Sequence, residues 1–264
     1  MLLLNKTQNE MIYVECVNKV QSFYSTDSKE EYSKNRRLLR DTQYHSTPIE
    51  YKFNNLGYRT KNIENLDISF LLTFGCSYTE GVGLHQQDTW AEKIAKHLNL
   101  DLYNHAKQSS GMDIQFYNAL LWNMSNKPKP KIVIAQWPHK ARKSFGYRTS
   151  DGIEIKDPSY TKTPDGKWWS KRYVQDSGEM ELNNLFWFES FNNVWNMNQV
   201  PVLNFTWDSD LLPNLVSSSY NIFRINPKNR DKARDLQHDG VLFHNDTTER
   251  LKEILERLGL SNQV

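Results

Sequence analysis

SFLLTFGCSYTEGVG, residues 69 to 83, is the stretch from which the fold of this chain is read. Apolar residues run from Phe70 to Phe74 and stop at Gly75-Cys76-Ser77, with further glycines at 81 and 83. A short apolar run bounded by turn residues reads as a buried strand, and a strand that turns into a helix is the unit of a parallel α/β sheet. Such a turn has three uses: it cradles a phosphate, it closes without chemistry, or it holds a nucleophile above the sheet.

The phosphate uses fail on residues. A P-loop counted from Gly75 needs glycine at its sixth position and then lysine, but the sixth residue is Glu80 and no lysine follows. A dinucleotide fingerprint counted from Gly81 and Gly83 needs a third glycine where Gln86 stands. The Gly-x-Ser-x-Gly elbow needs glycine at 79, which is Thr. What is left is a strand, a glycine, one residue and a serine. Cys76 is the rival nucleophile, since a thiolate of lowered pKa attacks well. It sits one position early, where a side chain points back into the sheet, and it reads as a small buried hydrophobe.

Outward from this turn the pattern alternates. Helical spacing of Trp90, Ile94, Ala95 and Leu98 predicts a helix over 89–98 with Asp88 as its cap. Strands are expected at 100–104, 131–136, 200–206 and 220–225, and helices at 112–124, 185–197 and 246–258. The last helix is given a capping box from Asp246 to Glu249. Strands alternating with helices imply a parallel sheet covered on both faces, with chemistry beyond the carboxyl ends of the strands. Residues 1–65 are polar, with an expected amphipathic helix at 11–23 and a short strand at 49–53, and read as an N-terminal extension packing onto a core of 66–264. Residues 139–183 are basic and aromatic and break the rhythm; they read as an insertion, either a hairpin or a lid.

At 264 residues the chain can bury one large core, and its longest apolar run falls far short of the roughly 20 residues of a membrane span. A net charge of +2 gives no electrostatic case for nucleic acid. Only Cys16 and Cys76 are present, so neither a disulfide framework nor a cysteine zinc site is expected, and a reducing compartment fits. Met1-Leu2-Leu3-Leu4 is too short for an export signal, which makes the cytoplasm the expected location. His244 lacks companions at ligand spacing, so neither metal nor cofactor is expected.

A nucleophilic serine needs a base, and the base needs an orienting carboxylate. Asp235-Leu236-Gln237-His238, between the last strand and the last helix, allows one turn to present both. Gly75-Cys76-Ser77 at the end of the first core strand, with Asp235-x-x-His238 ahead of the last helix, resembles the SGNH/GDSL hydrolases. Asn55-Leu56-Gly57-Tyr58-Arg59 and the Tyr103-Asn104 stretch leading to Gly111 agree with it. The resemblance implies an α/β fold: a three-layer α/β/α sandwich on a mainly parallel, flavodoxin-like five-stranded sheet. It implies Ser77 as nucleophile, His238 as base, Asp235 as its orienter, and the N–H groups of Ser77 and Gly111 as oxyanion donors. Where the family has Gly-x-Asn-Asp this chain has Ala135-Gln136-Trp137-Pro138-His139, leaving Gln136 as the candidate side-chain donor. Glu80, His85 and Trp137 are candidate pocket residues, and Trp168 and Trp169 candidates for stacking on sugar rings. The implied activity is cleavage of a small acyl ester, often acetyl on a carbohydrate. Transfer of the acyl group to a sugar hydroxyl and a non-catalytic carbohydrate-binding module are the alternatives. Expected partners are a small-molecule or carbohydrate ester and a second copy of the chain, with no nucleic acid and no membrane.

Overall fold

The computed structural model describes residues 2–5, 10–67, 69–142, 145–149, 152–156, 178–215 and 218–262, and the strands of its central sheet begin at Phe70. The N-terminal segment carries β1 (Leu2–Asn5), β2 (Glu10–Tyr13), β3 (Val20–Gln21), α1 (Lys29–Asn35) and β4 (Tyr51–Lys52). There follow β5 (Phe70–Phe74), α2 (Ser77–Glu80), α3 (Trp90–His97), β6 (Asp101–Asn104), α4 (Met112–Met124) and β7 (Ile132–Trp137). A hairpin of β8 (Phe145–Thr149) and β9 (Gly152–Lys156) precedes α5 (Glu179–Met197), β10 (Val202–Thr206), β11 (Phe223–Arg224) and α6 (Val241–Arg257).

The central sheet has the order β11-β10-β7-β5-β6, and all its pairings are parallel. Renumbered by chain order this is the flavodoxin-like 2-1-3-4-5 arrangement, whose order reverses between β5 and β7. Leu71 pairs with Ile132 and Phe74 with Ala135, so β7 runs two residues past the end of β5 at that reversal. Side chains then alternate by face. Phe70, Leu72, Phe74, Val133 and Ala135 pack against α4 and α5 through Ala119, Trp122, Phe188, Phe191 and Trp195. Leu71, Ile132, Ile134 and Phe205 pack against α3 and α6 through Trp90, Ile94, Leu251 and Leu255. The result is a three-layer α/β/α sandwich. Each of the fully buried Val, Leu, Ile and Phe side chains among these contributes about 1.5–3 kcal/mol relative to exposure.

Three local readings are corrected. Residues 11–23 are not a helix: β2 is followed by turns in which Asn18 takes a left-handed φ of 53°, and then by β3. Apolar residues there serve two short strands, and asparagine tolerates that backbone. Helix α3 is capped by Thr89, whose hydroxyl accepts from the Glu92 N–H, while Asp88 belongs to the preceding 3₁₀ turn. Helix α6 begins at Val241. Asp246 lies inside it and accepts the N–H groups of Lys228 and Asn229 at 2.8 Å each. Its first turns escaped the pattern because their buried face carries His244, Thr247 and Thr248, polar residues that read as solvent-facing.

His244 explains its own burial. Its Nδ1 accepts the Trp90 N–H at 3.1 Å, satisfying a donor at the start of α3. Burial, with Lys93 adding to it, pushes the imidazole down to about 3. Its folded value lies below its unfolded value, so the linked stability is full above about pH 6.5 and is lost as pH falls toward 3. By pH 5 the loss is roughly 2 kcal/mol. We expect His244→Gln to flatten stability between pH 7 and 5, measured by chemical denaturation at each pH.

The N-terminal segment shares a core with the site-bearing loops. Tyr24, Leu39, Tyr44, Ile49, Tyr51 and Phe53 pack with Val82, Leu84 and Ala233. The buried guanidinium of Arg59 donates to the carbonyls of Gly81 at 2.5 Å and Leu84 at 2.9 Å. Lys107, buried among the rings of Tyr13, Tyr24 and Phe53, pairs with Glu80 at 3.0 Å. Strands β1 and β2 form a second, antiparallel sheet with the β8–β9 hairpin. Among the described residues, no helix is long and apolar enough to cross a membrane.

Candidate active site

Ser77 opens a single helical turn directly after β5. The turn is tight because Gly75 lets Thr79 fold back over it: a Cβ at 75 would meet the Thr79 hydroxyl at 2.2 Å. Gln136, reached from β7, braces the turn from below. Its Oε1 accepts from the Cys76 N–H at 3.2 Å and from Thr79 Oγ1 at 3.3 Å, and lies 3.1 Å from Cys76 Sγ. Its Nε2 donates to the Trp137 carbonyl at 2.6 Å. A backbone N–H only donates and a carbonyl only accepts, so these two partners fix which way the amide faces.

His238 and Asp235 arrive on the loop before α6. That loop is pinched by a Lys232–Asp239 bridge and by Ala233 N–H donating to the His238 carbonyl at 3.1 Å. Leu236, at φ 55°, occupies the left-handed region at its tip, a conformation that costs a non-glycine residue about 1 kcal/mol or more. The loop docks on the segment that follows Ser77. Gly83 (φ +80°) has its carbonyl 3.0 Å from the Arg234 N–H, and a Cβ there would meet Ala233 Cβ at 2.8 Å.

His238 Nε2 consequently lies 2.8 Å from Ser77 Oγ, and its Nδ1 lies 2.6 Å from Asp235 Oδ2. Asp235 Oδ1 accepts the N–H groups of Gln237 at 3.1 Å and His238 at 3.0 Å. Burial alone raises the Asp235 carboxyl. The His238 ring, the Thr26 hydroxyl and the His238 N–H together hold it below the usual carboxylate range. An ionised carboxylate only accepts, so the proton of neutral His238 sits on Nδ1 and Nε2 is free to accept from the serine hydroxyl.

A cavity of about 270 Å³ opens beside the serine at the strand-order reversal, where ligand crevices form in such sheets. It is lined by residues flanking Ser77 (Cys76 and Tyr78), by Gln136 to His139 after β7, by Trp207 and Asp208 after β10, and by Arg142, Arg230, Asp239 and Phe243. Tyr78, Trp207 and Phe243 form an aromatic wall with ring centres 5.0–5.8 Å apart, and the Tyr78 ring meets His238 edge-on at 5.0 Å. Burial, with Asp239 nearby, raises the Tyr78 phenol to about 12, so its hydroxyl stays protonated at neutral pH.

Of the residues picked from sequence, Ser77, His238 and Asp235 are brought into one hydrogen-bonded line. Gly111 caps α4 on the loop after β6, and the neighbouring Lys107 N–H donates to the Gly75 carbonyl at 3.2 Å. Gln136 lines the cavity; its Oε1 is committed to the turn, and one N–H of its Nε2 goes to the Trp137 carbonyl. Glu80 is buried against Lys107 and the Gln108 N–H, and His85 stacks on Tyr44; neither lines the cavity. Trp137 reaches it only at the edge, because its side chain is fully buried in the α4–α5 layer with Nε1 on Asn204. Trp168 and Trp169 lie outside the described residues. Tyr78, Trp207 and Phe243 were missed; position was their signal, since Tyr78 follows the serine and Trp207 follows a strand end.

No family model matches the sequence, and no curated protein does. Among solved structures, the chain is similar to an acetyl xylan esterase from the rumen bacterium Butyrivibrio proteoclasticus, at 14% identity and a TM-score of 0.48 over 73% of this chain and 64% of that one. It is similar to a carbohydrate esterase at 12% identity and a TM-score of 0.45 over 72% and 65%. A salicylyl-acyltransferase from a tetracycline biosynthetic pathway overlaps at 12% identity and a TM-score of 0.45 over 74% and 57%. The chain thus spans only 57–65% of the length of these structures, and overlap at this level fixes neither a family nor a reaction.

Proposed function

We propose that this chain is a serine acylhydrolase that cleaves a small acyl ester through a covalent acyl-enzyme. One observation carries the reading: Ser77 Oγ, both nitrogens of His238 and Asp235 Oδ2 stand in line with spacings of 2.8 and 2.6 Å. His238 Nε2 takes the serine proton as Oγ attacks the ester carbonyl. The oxyanion is held by the N–H groups of Ser77 and Gly111, the latter at the positive end of the 13-residue helix α4. His238 then gives its proton to the departing alkoxide. A water, deprotonated in turn by His238, attacks the acyl carbon and releases the acid and the free serine.

A small acyl group, acetyl in the simplest case, is our choice for the acyl part. Rings interleaved with Arg142, Arg230, Asp208 and Asp239 suit a polyhydroxylated alcohol, for which a carbohydrate is our choice. The test needs no knowledge of the substrate. A fluorophosphonate probe should label the intact chain with the adduct mapping to Ser77, and denatured protein should not react. An unlabelled native protein, or an adduct on another residue, would sink the reading.

A further inference from the structure

Residues 24–27 form a tight turn: the Tyr24 N–H donates to the Asp27 carbonyl at 2.9 Å, the Asp27 N–H returns to Tyr24 at 3.1 Å, and Ser25 takes a φ of 60°. The turn sits against the loop that carries the base, 209 residues away in sequence. Thr26 Oγ1 donates to Asp235 Oδ2 at 2.6 Å, the same oxygen that faces His238 Nδ1. Beside it Asp27, fully buried, binds Arg234 through Nε at 2.8 Å and Nη2 at 2.6 Å. Tyr51 donates its hydroxyl to Asp27 at 2.5 Å and accepts the Gly83 N–H at 2.8 Å. Gly83 in turn docks the Arg234 N–H. Four stretches of chain are thereby closed into one network around the carboxylate.

We propose that Thr26 is a positioning residue for His238 and Asp235, so that the N-terminal segment is a working part of the active site and not only a cover on the core. This rests on the acylhydrolase reading. The carboxylate has two oxygens with different duties. Oδ1 is fixed by two backbone N–H groups, whereas Oδ2 has only side chains to aim it. A second donor on Oδ2 restrains rotation about the Cβ–Cγ bond and keeps a lone pair directed at Nδ1 while the imidazole gains and loses its proton. The ion pair of Asp27 with Arg234 holds the turn in place independently of the Thr26 hydroxyl. Removing that hydroxyl therefore tests aim, not docking.

The test compares Thr26→Val, which keeps the shape, with Thr26→Ser, which keeps the hydroxyl, both in the full chain. Loss of a hydrogen bond to a charged group predicts a fall in kcat on p-nitrophenyl acetate of about tenfold in the valine variant, with KM changed by less than about twofold. Serine should restore kcat. The second readout is the low-field proton resonance of His238 Nδ1–H, assigned by its loss in Asp235→Asn. It should shift in the valine variant and return with serine. An unmoved resonance overturns the inference whether or not the protein turns over esters, and so does a serine variant that behaves like valine. If the resonance responds as expected while wild-type protein neither turns over the ester nor labels at Ser77, the acylhydrolase reading fails and the Thr26 contact stands.

Discussion

Ser77→Ala is expected to lower turnover of an activated ester such as p-nitrophenyl acetate by roughly four to six orders of magnitude, the range seen when the nucleophile of a comparable triad is removed. The size follows from what is lost: without Oγ no acyl-enzyme forms, and only general binding and the N–H groups around the carbonyl remain. The neighbouring thiol supplies the control. Cys76 is buried, with its sulfur 3.1 Å from Gln136 Oε1, whereas the imidazole contacts Ser77. Cys76→Ala leaves the Cys76 N–H and Thr79 in place on Gln136, so its rate should stay within about tenfold of wild type. Initial rates for the two variants decide the assignment. Activity that survives in Ser77→Ala and vanishes in Cys76→Ala would make the thiol the nucleophile.

The central sheet was legible because its strands are buried on both faces. FLLTF and IVIAQW read as continuous apolar runs, and the glycines after β5 mark where the chain must turn. Helix α4 was legible to the residue, since Gly111 precedes it and Ser125 follows. Helix α6 was read late because its first buried face is polar, and hydrophobic periodicity does not register His244 or Thr247 as core. Residues 11–23 misled for the opposite reason: apolar side chains that serve two short strands and a turn fall by accident near helical spacing.

At the site, legibility followed sequence distance. Asp235 and His238 share a turn, and their spacing is visible in the chain. Gln136 was picked for its amide, and only the structure shows the Cys76 N–H on its Oε1 and the Trp137 carbonyl accepting from its Nε2. Thr26 had no signal at all. Its partner lies 209 residues away, and nothing in a polar N-terminal segment distinguishes one hydroxyl from the rest.

Asp235→Asn should cost about 10⁴ in kcat, and the hydrogen bonds say why the change is so large for an exchange of one atom. Oδ1 receives two backbone N–H groups, so the amide oxygen of asparagine must take that position. Its NH₂ then faces His238 Nδ1, which can only accept. The imidazole proton moves to Nε2, against Ser77 Oγ, and the base has nothing left with which to take the serine proton. Thr26 can rotate to accept from the NH₂, which would stabilise the wrong tautomer further. Stability supplies an independent check with a definite sign. The folded carboxyl of Asp235 is held below its unfolded value, so its contribution is present above about pH 4 and is lost as pH falls. Melting curves of wild type and Asp235→Asn should therefore differ at pH 7 and converge as pH falls below about 4. A variant that keeps wild-type kcat at pH 7 would show that His238 takes its orientation from another group, and the line from Asp235 to Ser77 would lose its chemical meaning.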